Sequence, residues 1–143
     1  MKRILLLGMA SVMMASCSIN VLNNTNANLG IAFEVLKQDA YGGREKKSSV
    51  VISSQADLAS LYKELGWSNV PMVDFNKNNV VALFMGQKST GGYSINVRKI
   101  SVDGDTTTVY VKTTEPEGMA TMALTAPYTI TIIPKTNEVH IED

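Results

Sequence analysis

The chain of 143 residues carries 13 basic and 13 acidic side chains, so its formal net charge is zero at pH 7. The sequence contains no basic patch interleaved with aromatic residues, which argues against a nucleic-acid partner. The single cysteine excludes a disulfide within the chain, and the length fits one domain with an ordinary hydrophobic core.

The first 16 residues have the pattern of a lipoprotein signal peptide. Lys2 and Arg3 precede an apolar run at 4–14 that is too short to be a stable transmembrane span. The residues Met14-Ala15-Ser16-Cys17 resemble a bacterial lipobox, in which the cysteine is lipidated and becomes the mature N-terminus. The alternative is a plain secreted protein with a free thiol. We expect lipidation of Cys17, because a lone cysteine in an exported protein is otherwise unexplained.

The segment 17–29 indicates a flexible tether, because it contains five asparagines and no charged residue. Acyl chains on Cys17 would contribute ~0.8 kcal/mol of membrane affinity for each buried methylene. The sequence thus predicts a signal peptide at 1–16, a tether at 17–29 and one domain at 30–143. We expect that domain outside the cytoplasm, in the cell envelope, held by lipid to a bacterial membrane, with the outer membrane as the favoured one.

The domain is predicted to begin with two strands and a helix. Alternation of apolar residues from Ile31 to Val35 predicts the first strand, and the run 50–52 predicts the second. Ser54, with Asp57 three positions later, is a helix N-cap signal. One apolar face then follows at i, i+3, i+4 and i+7, formed by Leu58, Leu61, Tyr62 and Leu65. These spacings predict an amphipathic helix at about 55–65 that ends at Gly66.

The stretch 80–97 is the centre of the predicted sheet. Residues 80–85 are apolar on both faces, which indicates a strand covered on both sides. The polar, glycine-containing stretch 86–92 then predicts a turn, and Tyr93, Ile95 and Val97 alternate with polar residues as in a half-buried strand. We therefore expect a hairpin here, and Asp103-Gly104 predicts a second hairpin turn into a strand from Thr107. Together these elements predict an antiparallel meander centred on 80–112.

The later part of the sheet contains an irregularity and two more strands. Val97 and Ile100 have opposite parity, which predicts a bulge near Arg98-Lys99. A strand is expected from Tyr128, after Pro127, and a last one through Val139 and Ile141. The predicted fold class is α+β: a mainly antiparallel sheet of about six to seven strands with one amphipathic helix.

Three ordered motifs resemble the PrcB-like family, which is named for a lipoprotein subunit of a spirochaetal protease complex. The motifs are Val73-Asp74-Phe75, Gly86-x-x-x-Thr90-Gly91-Gly92-Tyr93 and Leu124-Thr125-Ala126-Pro127-Tyr128. The resemblance covers roughly residues 33–133. It implies a membrane-tethered, non-catalytic module that binds an extracytoplasmic protein. It also implies that this partner is a protease, which the module either stabilises or inhibits.

The residues available for catalysis are few. His140 is the one histidine and is expected on the surface of a strand, so the sequence supports neither a zinc site nor a Cys–His pair. No phosphate-binding loop is present, because the glycines at 86–92 open no helix. We therefore predict no enzymatic activity, no cofactor and no metal.

The predicted protein-binding residues lie in the two later motifs. They are Thr90, Gly91, Gly92, Tyr93, Thr125, Pro127 and Tyr128. We expect these binding residues in a loop between two strands, because rigid sheets commonly present binding loops. The competing interpretation is that the two glycines only shape a turn. Met119 and Met122 are open to two interpretations: an adaptable apolar contact surface or core filling.

Three other functions remain open at this stage. Chagasin-type inhibitors of cysteine proteases also use a Thr-Gly-Tyr loop between strands, although this chain lacks their full set of loops. A glycan- or small-ligand-binding lipoprotein would use exposed aromatic residues such as Trp67, Tyr93 and Tyr128. For Trp67 we favour a lid over the helix end above a ligand platform. An enzyme with an unrecognised site is the last hypothesis.

Overall fold

Seven strands and one helix form the part of the chain that the computed structural model describes, residues 30–143. The predicted signal peptide, Cys17 and the tether lie outside the described residues. The elements are β1 Glu34–Asp39, β2 Ser48–Ile52, α1 Gln55–Glu64, β3 Asn78–Phe84, β4 Ser94–Asp103, β5 Thr106–Thr114, β6 Tyr128–Pro134 and β7 Glu138–Glu142. The predicted α+β class, with seven strands and one helix, is confirmed. Within residues 30–143, α1 is neither long nor apolar enough to cross a membrane.

Helix α1 forms where the local signals predicted it. The Ser54 hydroxyl accepts a hydrogen bond from the Asp57 backbone N–H at 3.1 Å, which satisfies one of the free donors of the first turn. Gly66, at φ 80°, ends the helix in the left-handed conformation that favours glycine. Leu58 and Leu61 are buried against the sheet, and each contributes about 1.5–3 kcal/mol by leaving water.

Four strands form an antiparallel sheet in the order β1-β6-β3-β2. Strand β3 lies inside this sheet and is buried on both faces, as predicted. Val80, Ala82 and Phe84 face α1, whereas Val81 and Leu83 face the second sheet. The four-stranded sheet is therefore the middle of three layers, with a hydrophobic core on each side.

The second sheet has three strands in the order β4-β5-β7. The predicted turn at Gly104 joins β4 to β5, and the predicted bulge is present. Arg98 is the extra residue, because Val97 pairs with Val111 while Lys99 pairs with Tyr110. The bulge restores the inward orientation of Ile100, which is fully buried. Strand β7 pairs with β5 in parallel, so this sheet is mixed.

The predicted hairpin between β3 and β4, and with it the meander across 80–112, is wrong. Strand β3 belongs to the four-stranded sheet and β4 to the other. The chain leaves the first sheet at Gly86, which has φ 85°, and the Gln87 N–H then donates to the Glu45 carbonyl at 2.9 Å. Alternating apolar residues indicate a buried face but do not tell which sheet provides it, so the crossing was not visible in the sequence.

The two sheets approach each other at both edges. At one edge the side chains of Gln38 on β1 and Asn96 on β4 are hydrogen-bonded, and the Ile31 N–H donates to the Ile100 carbonyl at 2.8 Å. At the opposite edge, Lys47 Nζ lies 2.7 Å from Asp143 Oδ2. The first edge is closed by main-chain and side-chain contacts, whereas an exposed ion pair spans the end of the second.

Candidate functional site

The two long connections 85–93 and 115–127 lie side by side, and we call them the paired loops. Lys88 and Thr125 form an antiparallel bridge: each backbone N–H donates to the other residue's carbonyl, at 2.7 and 2.9 Å. The Gly91 N–H donates to the Thr121 carbonyl at 2.9 Å, and the Thr125 hydroxyl donates to the Thr90 carbonyl at 2.8 Å. The sequence motifs at 86–93 and 124–128 are thus brought together.

The paired loops are fixed to the end of the four-stranded sheet by main-chain hydrogen bonds. The Met85 N–H donates to the Pro127 carbonyl at 3.0 Å, and the Ala126 N–H donates to the Ala40 carbonyl at the same distance. The Ala126 carbonyl in turn accepts from the Gly43 N–H at 2.9 Å. The backbone is therefore held at 85–91 and at 121–127, which reduces the conformational entropy that these segments would lose when a partner binds.

Gly92 is required by the packing of the two loops on each other. It has φ 87°, and a Cβ built on it would lie 2.7 Å from the Cβ of Pro116. Gly91 differs, because its φ is not positive and a Cβ there would meet only Thr121, at 3.8 Å. The interpretation that the glycines shape the turn thus holds for Gly92 and leaves Gly91 free for another role.

The predicted protein-binding residues divide into an accessible and a buried set. Gly92 is exposed, and Thr90, Gly91 and Tyr93 are half-buried. Three others are buried: Thr125 is 3% exposed, Tyr128 is 0% exposed, and Pro127 is buried between them. The buried three do not present their side chains to a partner. Their place in the fold explains why the motif contains them: Thr125 and Pro127 hold the paired loops, and Tyr128 stacks near Phe84 with ring centroids 6.0 Å apart.

The largest apolar exposure near the site comes from three side chains of the 115–127 loop. Met119 is 104% exposed, Met122 is 84% exposed and Leu124 is 66% exposed, and we call these residues the Met–Leu surface. Their exposure contradicts core filling for the two methionines. Leu124 belongs to the third sequence motif but was not among the predicted protein-binding residues. The available signal was an apolar residue in a segment that has neither helix nor strand periodicity.

Trp67 covers the end of α1, as predicted. Its backbone N–H donates to the Tyr62 carbonyl at 2.8 Å, and its indole N–H donates to the Tyr128 hydroxyl at 2.9 Å. Lys37 Nζ lies 3.2 Å from the centroid of the indole ring and covers one of its faces. Burial raises the pKa of Tyr128, although the hydrogen bond from Trp67 opposes the shift.

The three aromatic residues named for glycan binding do not form one surface. Tyr128 is buried, Trp67 lies on the helix side of the four-stranded sheet, and Tyr93 packs against the core between the two sheets. A stacking platform of these rings is therefore not formed.

Among residues 30–143, no three His, Cys, Asp or Glu side chains lie close enough to hold a metal ion, and His140 is exposed on β7 beside Glu138. The paired loops, with the Met–Leu surface, therefore offer main-chain and apolar contacts to a partner.

The paired loops lie within a segment that matches a known protein family. The family model described as PrcB C-terminal matches residues 79–134, from β3 to β6, which include both paired loops. No curated protein and no solved structure matches the chain. The motif Val73-Asp74-Phe75 lies before the matched segment, whereas the other two motifs lie within it. The family resemblance seen in the sequence is thus confirmed over residues 79–134, where the chain matches the PrcB C-terminal family.

Proposed function

We propose that this protein is an exported lipoprotein whose domain binds an extracytoplasmic protease and stabilises or regulates it without catalysing a reaction itself. The PrcB C-terminal match supports a role in association with a protease complex. The predicted lipobox at Cys17 supports attachment to a membrane of the cell envelope, with the outer membrane favoured.

The observation that carries this proposal is the Met–Leu surface on a loop whose backbone is hydrogen-bonded at Thr121 and Thr125. Large apolar side chains that are exposed together commonly mark a protein interface. Methionine suits such a surface because its flexible, polarisable side chain adapts to a partner. Leu124 directly precedes Thr125, whose backbone pairs with Lys88, so the surface lies on one of the paired loops and next to the other. Thr90, Gly91 and Tyr93 would supply the polar and main-chain part of the contact.

The partner is tested with the full-length chain purified from membranes after chemical cross-linking. We expect one extracytoplasmic protease in stoichiometric amount, and at least a tenfold loss of it from the double variant Met119→Ser/Met122→Ser. Met72→Ser is the matched control, because Met72 is 85% exposed but lies between α1 and β3. Thermal unfolding of all variants should be unchanged, since these side chains contribute little to the core. The activity of the recovered protease with and without the chain gives the sign of the effect.

Two results would contradict the proposal. Equal recovery of the protease with the double variant would exclude the Met–Leu surface as the interface. Recovery of no protease at all, under conditions where the chain remains folded in its membrane, would exclude the function itself.

The membrane anchor is tested separately through Cys17. We expect Cys17→Ser to move the protein from the detergent phase to the aqueous phase in phase partitioning, or to leave the signal uncleaved, because the acyl chains provide the membrane affinity. The melting temperature of the domain should not change. An unchanged partition into detergent would reject anchoring through this residue.

A further inference from the structure

The two described sheets have four edge strands, and three of them carry features that prevent pairing with another chain. Strand β1 contains charged residues and a register shift between Val35 and Lys37. Strand β4 contains the bulge at Arg98 and a hydrogen bond from Ile31 to Ile100. Charged residues, bulges and covering segments are the usual protections of an open edge. Strand β7 has the sequence EVHIE, with exposed charged residues at both ends.

Strand β2 has none of these protections within Ser48–Ile52, and the ion pair between Lys47 and Asp143 lies at its N-terminal end. Its sequence is SSVVI, without a charge or a proline, and it pairs with β3 in regular register from Ser48 to Ile52. Its other side has no neighbouring strand among residues 30–143. Val51 pairs with Val81, which faces the second sheet, and it is 43% exposed at the edge, where it also lines the groove on the helix side. The open side of β2 therefore presents unpaired main-chain N–H and C=O groups next to apolar surface.

A cavity lies on each face of the sheet beside this edge. The cavity on the side of the second sheet has a volume of about 380 Å³. Leu83, Ile95, Val111 and Ile141 belong to its apolar part, and Lys47, Ser48, Ser49 and Asp143 form its polar part. The groove on the helix side has a volume of about 300 Å³ and is lined by Val50, Ile52 and Leu61, with Arg44, Asp57 and Glu64 at its rim. Arg44 forms two hydrogen bonds with Glu64, at 2.8 and 3.0 Å. Two carboxylates against one guanidinium leave the helix-side rim with one net negative charge.

We propose that β2 is a strand-addition site, at which an extended segment of a partner protein becomes the fifth strand of the sheet beside β2. Only an extended backbone satisfies a row of alternating N–H and C=O groups, which fixes the conformation of the occupant. Successive side chains of such a strand point to opposite faces. Those facing the second sheet are aliphatic and contact the apolar part of the 380 Å³ cavity, beside the ion pair of Lys47 and Asp143. Those facing α1 are Lys or Arg, whose methylenes contact Val50 and Leu61 while the cation lies near Asp57 and Glu64.

The first test uses the full-length chain and a displayed library of random linear seven-residue peptides. We expect the selected peptides to alternate aliphatic residues with Lys or Arg. Val51→Lys should weaken their binding at least tenfold, since a charge on the open edge opposes strand addition. Val35→Lys is the matched control, because Val35 is 42% exposed on the edge strand β1 and should leave binding unchanged.

The second test uses the wild-type chain, so that it does not depend on the folding of a variant. A selected peptide is N-methylated at alternate residues in either of two registers. Strand addition predicts that one register abolishes binding, because it removes the N–H groups that point to β2, and that the other preserves it. Equal binding of both methylated peptides overturns the proposal, as does a failure to select any peptide sensitive to Val51→Lys. A dimer of the chain that Val51→Lys dissociates would make a second copy the occupant and would also overturn it.

Discussion

Replacement of Gly92 by alanine tests how the paired loops are held together. Two costs act at this position. An L-residue at φ 87° loses about 1–2 kcal/mol relative to glycine, because its Cβ crowds the following carbonyl. The new Cβ would also lie 2.7 Å from the Pro116 Cβ, and an overpacked contact of this kind costs about 1–3 kcal/mol as the backbone moves to relieve it. We expect Gly92→Ala to lower the free energy of unfolding by about 2–5 kcal/mol.

Two other glycines separate these contributions. Gly104 has φ 57° with no atom within 4 Å of a built Cβ, so Gly104→Ala should show only the conformational cost, about 1–2 kcal/mol. Gly91 has neither a positive φ nor a close neighbour. Gly91→Ala should be neutral, or stabilising by about 0.4–1 kcal/mol, because alanine reduces the entropy of the unfolded chain. The three substitutions add the same methyl group in three different environments.

The assay is urea unfolding of the three variants and the wild type, monitored by the fluorescence of Trp67. The free energies can be compared if all four proteins show the same slope of the transition. A midpoint for Gly91→Ala as low as that for Gly92→Ala would refute the assignment of different roles to the two glycines. Equal losses for Gly92→Ala and Gly104→Ala would mean that the contact with Pro116 is relieved at no cost, so that the two loops are not tightly packed.

The remaining predictions concern the helix-side core. Leu61 is 4% exposed in the centre of α1, so Leu61→Ala should lower the free energy of unfolding by about 2–4 kcal/mol. The control is Lys63→Ala, on the exposed face of the same helix, which should change it by less than about 0.5 kcal/mol. Equal denaturant midpoints would show that α1 does not pack on the sheet. Burial raises the pKa of Tyr128 above its ordinary value of 10.0. The contribution of this residue to the free energy of unfolding is therefore fully present below that pH. It falls as the pH rises, because the unfolded chain releases the proton first. Tyr128→Phe should therefore make the loss of stability in alkali shallower, and a slope equal to that of the wild type would contradict the assignment.

The parts of the fold that depend on local signals were predictable from the sequence. The cap at Ser54 and the stop at Gly66 bound the helix through contacts within a few residues. The bulge at Arg98 was visible because it inverts a parity along one strand. The two-sided burial of β3 follows from an uninterrupted apolar run. Each of these features is specified by neighbouring residues, and each prediction is confirmed.

The pairing of distant strands could not be predicted in the same way. Strand β6 lies between β1 and β3, and β7 joins β5 in parallel, but no turn residue connects these partners. For the candidate site, the sequence identified the motif residues without telling which are accessible. Tyr128 and Thr125 were expected at a contact edge because they begin a strand after a turn, but that strand begins inside the core. Leu124, one position earlier, is exposed, and a one-residue difference of this kind is decided by tertiary packing.

The position of β6 also determines when the fold can be completed. This strand of seven residues ends at Pro134, yet among residues 30–143 it is the only neighbour of β1 and one of the two neighbours of β3. A chain emerging from its N-terminus can form α1 with β2 and β3, and the local β4–β5 hairpin, but not the four-stranded sheet. Contacts between residues so far apart in sequence form slowly, because a long loop must close before they can form. The four-stranded sheet is therefore expected to form only after β6 has emerged, and until then β1 remains without a partner strand.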